Sequence, residues 1–266
     1  TDVARADVAS LLAYEARAHS PEKVSVVVAG PEPTETSLAL ARRWFADVPV
    51  RTPPSPVAGR PFAGEAVLET PGRGLYSWRD AVRADAIYLA WPTVPRGHPD
   101  EPALDILARS LGEGSEPSLS AGRRMRRAGV QTVECWTLNG RYGGLFVVEL
   151  RTTGRDPAAA LAALQHAWKQ ARPDPARLRA VQVGWHADAI RSSQGVEALA
   201  GRVIECMGRG APADCARSDL RRYAQVRTDA LARVRERWLR PERQTILMVV
   251  DPARAVPPGA EPVVLP

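Results

Sequence analysis

A proline-rich stretch divides this 266-residue chain. Residues 49–61 (PVRTPPSPVAGRP) contain five prolines and no regular apolar period. Proline fixes φ and lacks a backbone N–H, so the stretch predicts an extended linker rather than a helix or strand. Only about fifty residues come before it, too few for an independent core of the usual size. We therefore predict the end of a preceding domain at 1–50, a linker at 51–62, a complete domain at 63–252 and a Pro-rich tail at 253–266.

The apolar pattern predicts helices and strands on both sides of this linker. Before it, the β-branched run Val24–Ala29 is closed by Gly30-Pro31 and predicts a buried strand between two helices, at 3–18 and 37–48. After it, strands are predicted at 65–69, 86–91, 131–138, 144–152 and 245–250, and helices at 102–111, 118–127, 157–172, 175–193, 195–208 and 218–239. The strands at 131–138 and 144–152 resemble a hairpin that turns at Asn139-Gly140. Such an order indicates an α+β fold with helices packed on one face of a sheet.

The catalytic patterns that a sequence can reveal are missing. The four histidines are His19, His98, His166 and His186, and no two lie within four positions of each other. Helical zinc peptidases need two histidines one turn apart beside a carboxylate base, so no such site is encoded locally. Neither lysine follows a glycine as a phosphate loop requires, and no Gly-x-Ser-x-Gly elbow occurs. We predict no catalytic residue and no metal ligand in this chain.

Charge and hydropathy argue against nucleic-acid and membrane roles. The net charge is +6, carried mainly by arginines that are spread along the chain, with one dense cluster at residues 123–127. Nucleic-acid binding needs a clustered basic face with aromatic or base-reading groups, and a solvated helix face is the better interpretation of that cluster. No apolar run approaches the roughly 20 residues of a membrane-spanning helix.

The three cysteines leave two alternatives open. Cys206 and Cys215 flank a turn-rich loop that could bring them together, and a disulfide would place the chain in an oxidising compartment. Two isolated cysteines fit the sequence equally well. Cys135 lies in an apolar run and is predicted to be a small buried hydrophobic residue.

Four stretches share the order and spacing of motifs from one peptidase family. They are Val24–Gly30 with Ala41–Pro49, Leu89–Pro92 with His98–Gly112, Ser118–Val133, and Thr245–Pro252. Together they resemble the insulinase-type (M16) zinc peptidases, which include insulin-degrading enzyme, pitrilysin and the mitochondrial processing peptidases. The resemblance extends from about residue 3 to residue 252.

The resemblance implies a fold and a division of labour. Family domains have a mostly antiparallel sheet with helices on one face, and repeated domains enclose a chamber in which peptides are cleaved. The first domain holds zinc, and the homologous second domain lacks the metal and shapes the cavity. This chain is similar to the end of a first domain followed by one metal-free domain. Zinc is therefore expected in a preceding domain or a partner subunit, and the expected partners are that zinc-bearing unit and a peptide substrate.

The resemblance also implies two substrate-contacting positions. In active assemblies the metal-free side contributes an Arg and a Tyr seven residues apart, which bind substrate and stabilise the oxyanion. Alignment puts Arg124 at the Arg position and Gln131 at the Tyr position, or Met125 and Thr132 after a shift of one residue. The tyrosine is absent in both cases. Arg124 and Gln131 are the predicted substrate contacts, with a solvent-facing helix residue as the alternative for Arg124.

The expected function is that of a non-catalytic C-terminal domain of a zinc endopeptidase, forming the chamber wall opposite the zinc-bearing unit. Peptide docking on a sheet edge would supply main-chain hydrogen bonds. Trp91 and Trp136 are candidate wall aromatics, but core packing is the favoured role for each. The alternative is a pseudo-peptidase scaffold without proteolytic activity, which the missing tyrosine favours. Export to the periplasm is the favoured location, because bacterial relatives of this type are often exported.

Overall fold

The computed structural model describes residues 6–19, 21, 24–48, 74–112, 119, 123–153, 156–172, 174–208 and 210–263. The chain divides into two compact units. The first unit draws on Thr1–Ala63 and Ala189–Asp219, and the second unit on Gly64–Asp188 and Leu220–Pro266. The predicted strand at 65–69 and the linker at 51–62 lie outside the described residues.

The regular elements follow the predicted order closely. In chain order they are α1 (Val8–Ala18), α2 (Thr34–Phe45), β1 (Gly74–Arg79), β2 (Asp85–Thr93), α3 (Glu101–Gly112), α4 (Arg123–Arg127), β3 (Val130–Asn139), β4 (Gly144–Thr152), α5 (Pro157–Gln170), α6 (Pro175–Arg191), α7 (Val196–Gly208), α8 (Cys215–Ala224), α9 (Thr228–Trp238), β5 (Thr245–Val250) and β6 (Glu261–Pro262). The single helix predicted at 218–239 is two helices, α8 and α9, because residues 225–227 leave the helical conformation.

Local signals explain where several helices begin. At α1, the Asp7 carboxylate accepts a hydrogen bond from the Ser10 N–H, and the Ser10 hydroxyl accepts one from the Asp7 N–H. This reciprocal capping box satisfies two backbone donors that a helix start would leave without partners. At α5, the Asp156 carboxylate accepts from the N–H groups of Ala158 and Ala159. Both helices therefore start where an acidic cap precedes an apolar period.

The predicted strand at Val24–Ala29 is wrong. This segment has no regular secondary structure, and the side chains of Val24, Val26 and Val28 are exposed. A strand must pair its backbone N–H and C=O groups with a neighbour. The described strands form one sheet, and none of them pairs with this segment. A β-branched run alone therefore did not suffice to form a strand.

The second unit contains a six-stranded sheet in the order β3-β4-β2-β5-β1-β6. β3 pairs with β4, β4 with β2, and β2 with β5 in antiparallel fashion, whereas β1 pairs in parallel with β5 and β6. The predicted hairpin is confirmed, and its turn is closed by the Gly140 N–H donating to the Gly143 carbonyl. The prediction of an α+β fold with a mostly antiparallel sheet is confirmed.

The helices of the second unit cover one face of this sheet. α3 packs on β3 and β4, α5 on β2 and β4, and α9 on β2. Ile87, Leu89 and Trp91 alternate along β2 toward these helices and are fully buried. Each such burial contributes roughly 1.5–3 kcal/mol to folding. The Trp91 ring stacks on Trp168 at 4.8 Å between centroids, and its N–H donates to the Arg240 carbonyl at 3.1 Å.

The residues around His98 fix the start of α3. Asp100 and Glu101 are buried but paired: the Trp238 N–H donates to Asp100 at 2.9 Å, and Arg222 lies 3.4 Å from Glu101. The Nδ1 atom of His98 accepts the Asp100 N–H at 3.0 Å. Buried charges of this kind are tolerated when every one is hydrogen-bonded. His98 therefore has a structural role in this cluster.

Candidate functional site

The face of the sheet opposite the helices carries side chains that do not join the core. We call it the open face: the residues of β1–β5 that alternate with the core positions, among them Tyr76, Trp78, Tyr88, Trp136, Leu138 and Leu247. None of these belongs to the core cluster beneath the helices. Leu138 is 55% exposed, and the aromatic side chains are half-buried. Among the described helices of the second unit, those that contact the sheet pack on the opposite face.

Strand register brings a polar row across the centre of the open face. Glu134 on β3 lies opposite Glu149 on β4, which lies opposite Tyr88 on β2. The Tyr88 hydroxyl donates to Glu149 at 3.3 Å, and the Arg151 guanidinium pairs with the same carboxylate at 2.7 Å. Partial burial, followed by the negative charge of Glu149, raises the pKa of the Tyr88 phenol. The hydroxyl therefore stays protonated and serves as a donor.

Arg124 lies on the short helix α4, which packs against β3 and α5. Met125 is buried in the core and anchors this helix, while the Arg124 side chain is exposed. Gln131 lies at a β-bulge between Val130 and Thr132, where it has no cross-strand partner, and it too is exposed. Neither side chain forms a hydrogen bond or ion pair with another described residue. Both thus project polar groups into solvent from fixed backbone positions.

The turn between α4 and β3 sets the separation of Arg124 and Gln131. The Ala128 N–H donates to the Arg124 carbonyl, and Gly129 has a φ of +70° that glycine adopts without strain. The structure places the two residues on either side of this turn and shows no direct bond between them. Their roles stay a prediction.

Of the two candidate wall aromatics, only Trp136 faces outward. Trp91 is fully buried under the helices, so the interpretation as a core residue is confirmed and a role in a cavity wall is excluded. Trp136 pairs in register with Val147 on the open face and is half-buried. Sequence reasoning did not identify Tyr88 or Glu149. A two-residue turn at Asn139-Gly140 does not place Glu134 opposite Glu149. The pair follows from the longer observed turn between Asn139 and Gly144.

The described residues provide no zinc site. No group of three His, Cys, Asp or Glu side chains comes close enough to hold a metal ion in that part of the chain. The Cys135 thiol is buried, and burial raises its pKa, so it stays protonated at neutral pH and is unsuited to act as a ligand or nucleophile. Among the described helices, none is long and apolar enough to span a membrane.

Cys206 and Cys215 are joined by a disulfide in the first unit. They lie at the end of α7 and the start of α8, with the turn-rich loop between them. Both sulfur-bearing side chains are buried. The loop that the bond closes spans nine positions of sequence.

Comparison with known proteins identifies relatives of this fold. The family model for the peptidase M16 inactive domain matches residues 5–180. A protease from Helicobacter pylori superposes with a TM-score of 0.75 at 15% identity, over 94% of this chain and 60% of that chain. A peptidase M16 inactive domain from Pseudomonas fluorescens gives 0.72 at 16%, over 95% and 59%. No curated protein sequence matches the chain.

A more distant neighbour is the periplasmic protease PqqL from Escherichia coli. It superposes with a TM-score of 0.64 at 11% identity, over 84% of this chain and 24% of that chain. At such identities the likeness shows a shared fold. This chain spans about 60% of the length of the first two structures.

Proposed function

Because this chain belongs to the peptidase M16 inactive-domain family, we propose that it forms the wall of a peptide chamber opposite a zinc-bearing domain or partner subunit. The observation that carries the proposal is the open face, where half-buried aromatic side chains lie outside the core. Exposing apolar side chains to water costs free energy, and contiguous exposed apolar surfaces of this kind mark binding sites. In this proposal zinc is held by that zinc-bearing domain or partner subunit, and the described residues of this chain bring no three His, Cys, Asp or Glu side chains together.

The sheet edge at β3 offers a second kind of contact. β3 is a terminal strand of the described sheet, so one row of its backbone groups has no partner strand among the described residues and could pair with an added strand. An extended peptide that pairs there gains main-chain hydrogen bonds with little sequence preference. Trp136 and Leu138, on the same strand, then contact the peptide side chains that point toward the open face.

Arg124 and Gln131 supply polar contacts at the start of this edge. The Arg124 guanidinium is a permanent cation that can stabilise negative charge developing on the cleaved carbonyl oxygen. Gln131 presents an amide N–H donor where the family has a phenol. The amide is the weaker of these two donors for this purpose. Their exposure and their lack of partners among the described residues suit both for contact with a bound peptide.

An activity assay with the zinc-bearing unit tests this role. The chain is mixed with the zinc-bearing M16 unit encoded by the same or a neighbouring gene, and cleavage of a neutral unstructured peptide is followed. Arg124→Ala should lower kcat/KM about 100-fold, the usual effect of removing one oxyanion donor. Arg179→Ala, an exposed arginine on α6, serves as the matched control and should have no effect. Equal kcat/KM values for the two variants would contradict a role for Arg124 in substrate contact.

The first 50 residues are proposed to be the end of the zinc-bearing domain, joined by the linker at 51–62 to the domain at 63–252. Apolar side chains of α1 and α2 are exposed, including Leu12 and Trp44 at 59% and 72%. The segment Val24–Ala29 has the composition of a strand but no partner among the described strands. Addition of the zinc-bearing unit should therefore slow amide hydrogen exchange in this segment, and unchanged exchange would contradict the assignment.

A pseudo-peptidase scaffold is the second candidate. The observation in its favour is Gln131 at the position where the family has tyrosine. In this case the assembled complex forms but leaves the peptide intact, whichever residue stands at 124. The Cys206–Cys215 disulfide supports an oxidising compartment for either function, and the periplasmic location of the Escherichia coli neighbour agrees with export.

A further inference from the structure

The helix α4 concentrates positive charge in a way that its own structure does not explain. Four of its five residues are arginines, and all four are exposed. Arg123 is three residues from Arg126 and four from Arg127, and Arg124 is three from Arg127. At these spacings like charges face each other on a helix and destabilise it. Helix formation alone therefore disfavours this composition.

Elsewhere in the described part of the second unit, several arginines pair with carboxylates, although others such as Arg179 and Arg233 do not. The pairs are Arg109 with Asp188, Arg151 with Glu149, Arg222 with Glu101, Arg227 with Asp229, Arg237 with Asp100, and Arg254 with Asp85. The α4 arginines form no ion pair with any described residue. The backbone that carries them is nevertheless fixed, because Met125 is 2% exposed and sits in the core. A fixed helix thus presents four guanidinium groups with no carboxylate matched to them in the described part of the chain.

We propose that Arg123, Arg126 and Arg127 form a subsite for acidic side chains of the peptide bound by this domain. The inference rests on the proposed function and adds a substrate class to it. Guanidinium groups bind carboxylates through two parallel hydrogen bonds, which gives both strength and orientation. α4 packs against β3 and leads into it through a two-residue turn, so a peptide on that edge passes beside the arginines.

The size of the patch favours a peptide over a nucleic acid. A five-residue helix rises only about 7 Å, at roughly 1.5 Å per residue. This length accommodates one or two acidic side chains of an extended peptide. Non-specific nucleic-acid binding instead uses a basic groove that follows several phosphates beside stacking aromatic side chains. Along the chain, the run of arginines ends with α4, because the following residues, Ala128 and Gly129, are neither basic nor aromatic.

A binding assay with matched peptides tests the subsite. Three fluorescent peptides share one neutral, apolar framework and differ at two adjacent positions, which hold Glu-Glu, Gln-Gln or Lys-Lys. The full chain should bind the Glu-Glu peptide about tenfold more tightly than the Gln-Gln peptide at low ionic strength, the effect of one or two charge-assisted hydrogen bonds. The Lys-Lys peptide should bind most weakly. High salt should erase the preference, because exposed charges are screened.

Two double variants separate the patch from general attraction to a basic chain. Arg126→Gln with Arg127→Gln should abolish the Glu-Glu preference while retaining affinity for the Gln-Gln peptide. Arg179→Gln with Arg233→Gln removes the same charge from exposed positions on α6 and α9. This control should preserve the preference for the Glu-Glu peptide. Unfolding midpoints check that all proteins are folded. Should the α4 double variant fail this check, the single variants Arg126→Gln and Arg127→Gln take its place, and each should weaken the preference.

Each remaining outcome has a clear meaning. Equal binding of the Glu-Glu and Gln-Gln peptides would overturn the subsite and leave the chamber-wall function intact. Binding of no peptide at all would overturn both proposals. Equal loss of the Glu-Glu preference in the two double variants would mean that the preference comes from the net charge of the chain, which would overturn the subsite on α4. Displacement of the Glu-Glu peptide by a single-stranded oligonucleotide at lower concentration than by unlabelled peptide would indicate a nucleic-acid site and overturn the proposal.

Discussion

Leu12 in the first unit and Leu89 in the second are both apolar residues of regular elements, but their surroundings differ completely. Leu12 is 59% exposed on α1, whereas Leu89 is fully buried between sheet and helices. The contrast holds for the two units as wholes. Among the described residues of the first unit, only Cys206 and Cys215 are buried, while the second unit buries a continuous apolar cluster.

This difference separates what forms a helix from what stabilises one. α1 has a complete capping box, and α2 carries an acidic residue in its first turn and arginines in its last. These local features favour helical structure without any tertiary partner. Most helical stability in proteins nevertheless comes from burial of the apolar face. The first unit therefore has the local signals of a folded domain and lacks the burial, which is what the proposed docking to a zinc-bearing unit would provide.

The largest expected effect comes from truncating one leucine in each unit. Leu89→Ala should lower the free energy of unfolding by about 2–5 kcal/mol, because it removes buried methyl groups and leaves a cavity. Leu12→Ala is the matched control and should change it by less than about 0.5 kcal/mol, as exposed positions usually do. Urea unfolding followed by tryptophan fluorescence measures both.

A large loss of unfolding free energy in Leu12→Ala would contradict the contrast between the exposed first unit and the buried second unit. It would mean that the apolar face of α1 is buried in solution, and the unfolding midpoint would then depend on protein concentration if a second copy covers it. A small cost for Leu89→Ala would instead mean that the sheet tolerates a cavity beneath the helices.

The disulfide gives the next largest effect, because it is the main buried feature of the first unit. Replacing Cys206 and Cys215 together by serine should destabilise the local region by about 2–3 kcal/mol, the loop-closure effect for a short loop. Protease sensitivity between residues 189 and 219 should rise, while the global unfolding midpoint of the sheet changes little. A fall in the sheet midpoint would show that the two units unfold together.

Thiol titration provides the control for this experiment. The native protein should show no reactive thiol, since Cys135 is buried and burial raises its pKa. Denaturation without reductant should expose one thiol, and three thiols without reductant would contradict the disulfide. Because the folded-state pKa of Cys135 lies above its unfolded value of 9.0, the burial of this thiol favours the folded state fully below about pH 9 and less as pH rises further.

Several elements of the second unit could be predicted because local sequence patterns indicate them. The hairpin of β3 and β4 follows from two alternating runs around Asn139-Gly140, and α3 from its amphipathic period. β1 was missed, since Gly74–Arg79 pairs in parallel with the distant β5 and no turn marks it. The strand at Val24–Ala29 failed for the opposite reason: its composition favours a strand, but pairing depends on a partner that the described chain does not supply.

The candidate site was less predictable than the fold. Arg124 and Gln131 came from a resemblance, and the structure places them without deciding their roles. The open face came from the structure, because apolar residues occur on both sides of β2 and β4, and helix packing shows which side is free. Tyr88 and Glu149 are 61 residues apart and meet only through the register of β2 and β4.

The smallest expected effect concerns the two acidic helix caps. Asp156→Ala should lower the free energy of unfolding by about 1 kcal/mol, because the cap serves α5, which packs on the sheet. Asp7→Ala should leave the unfolding midpoint unchanged and only reduce the far-ultraviolet helix signal, since α1 is not packed in the described chain.

Acid sharpens the comparison: hydrogen bonds from Ser10 lower the pKa of Asp7, so the cap stabilises α1 above about pH 4 and is lost as pH falls further. Circular dichroism between pH 2 and pH 6 should therefore show a helix loss in wild type that Asp7→Ala lacks. If both caps affect the midpoint equally, α1 is coupled to the sheet, and the contrast between the units disappears.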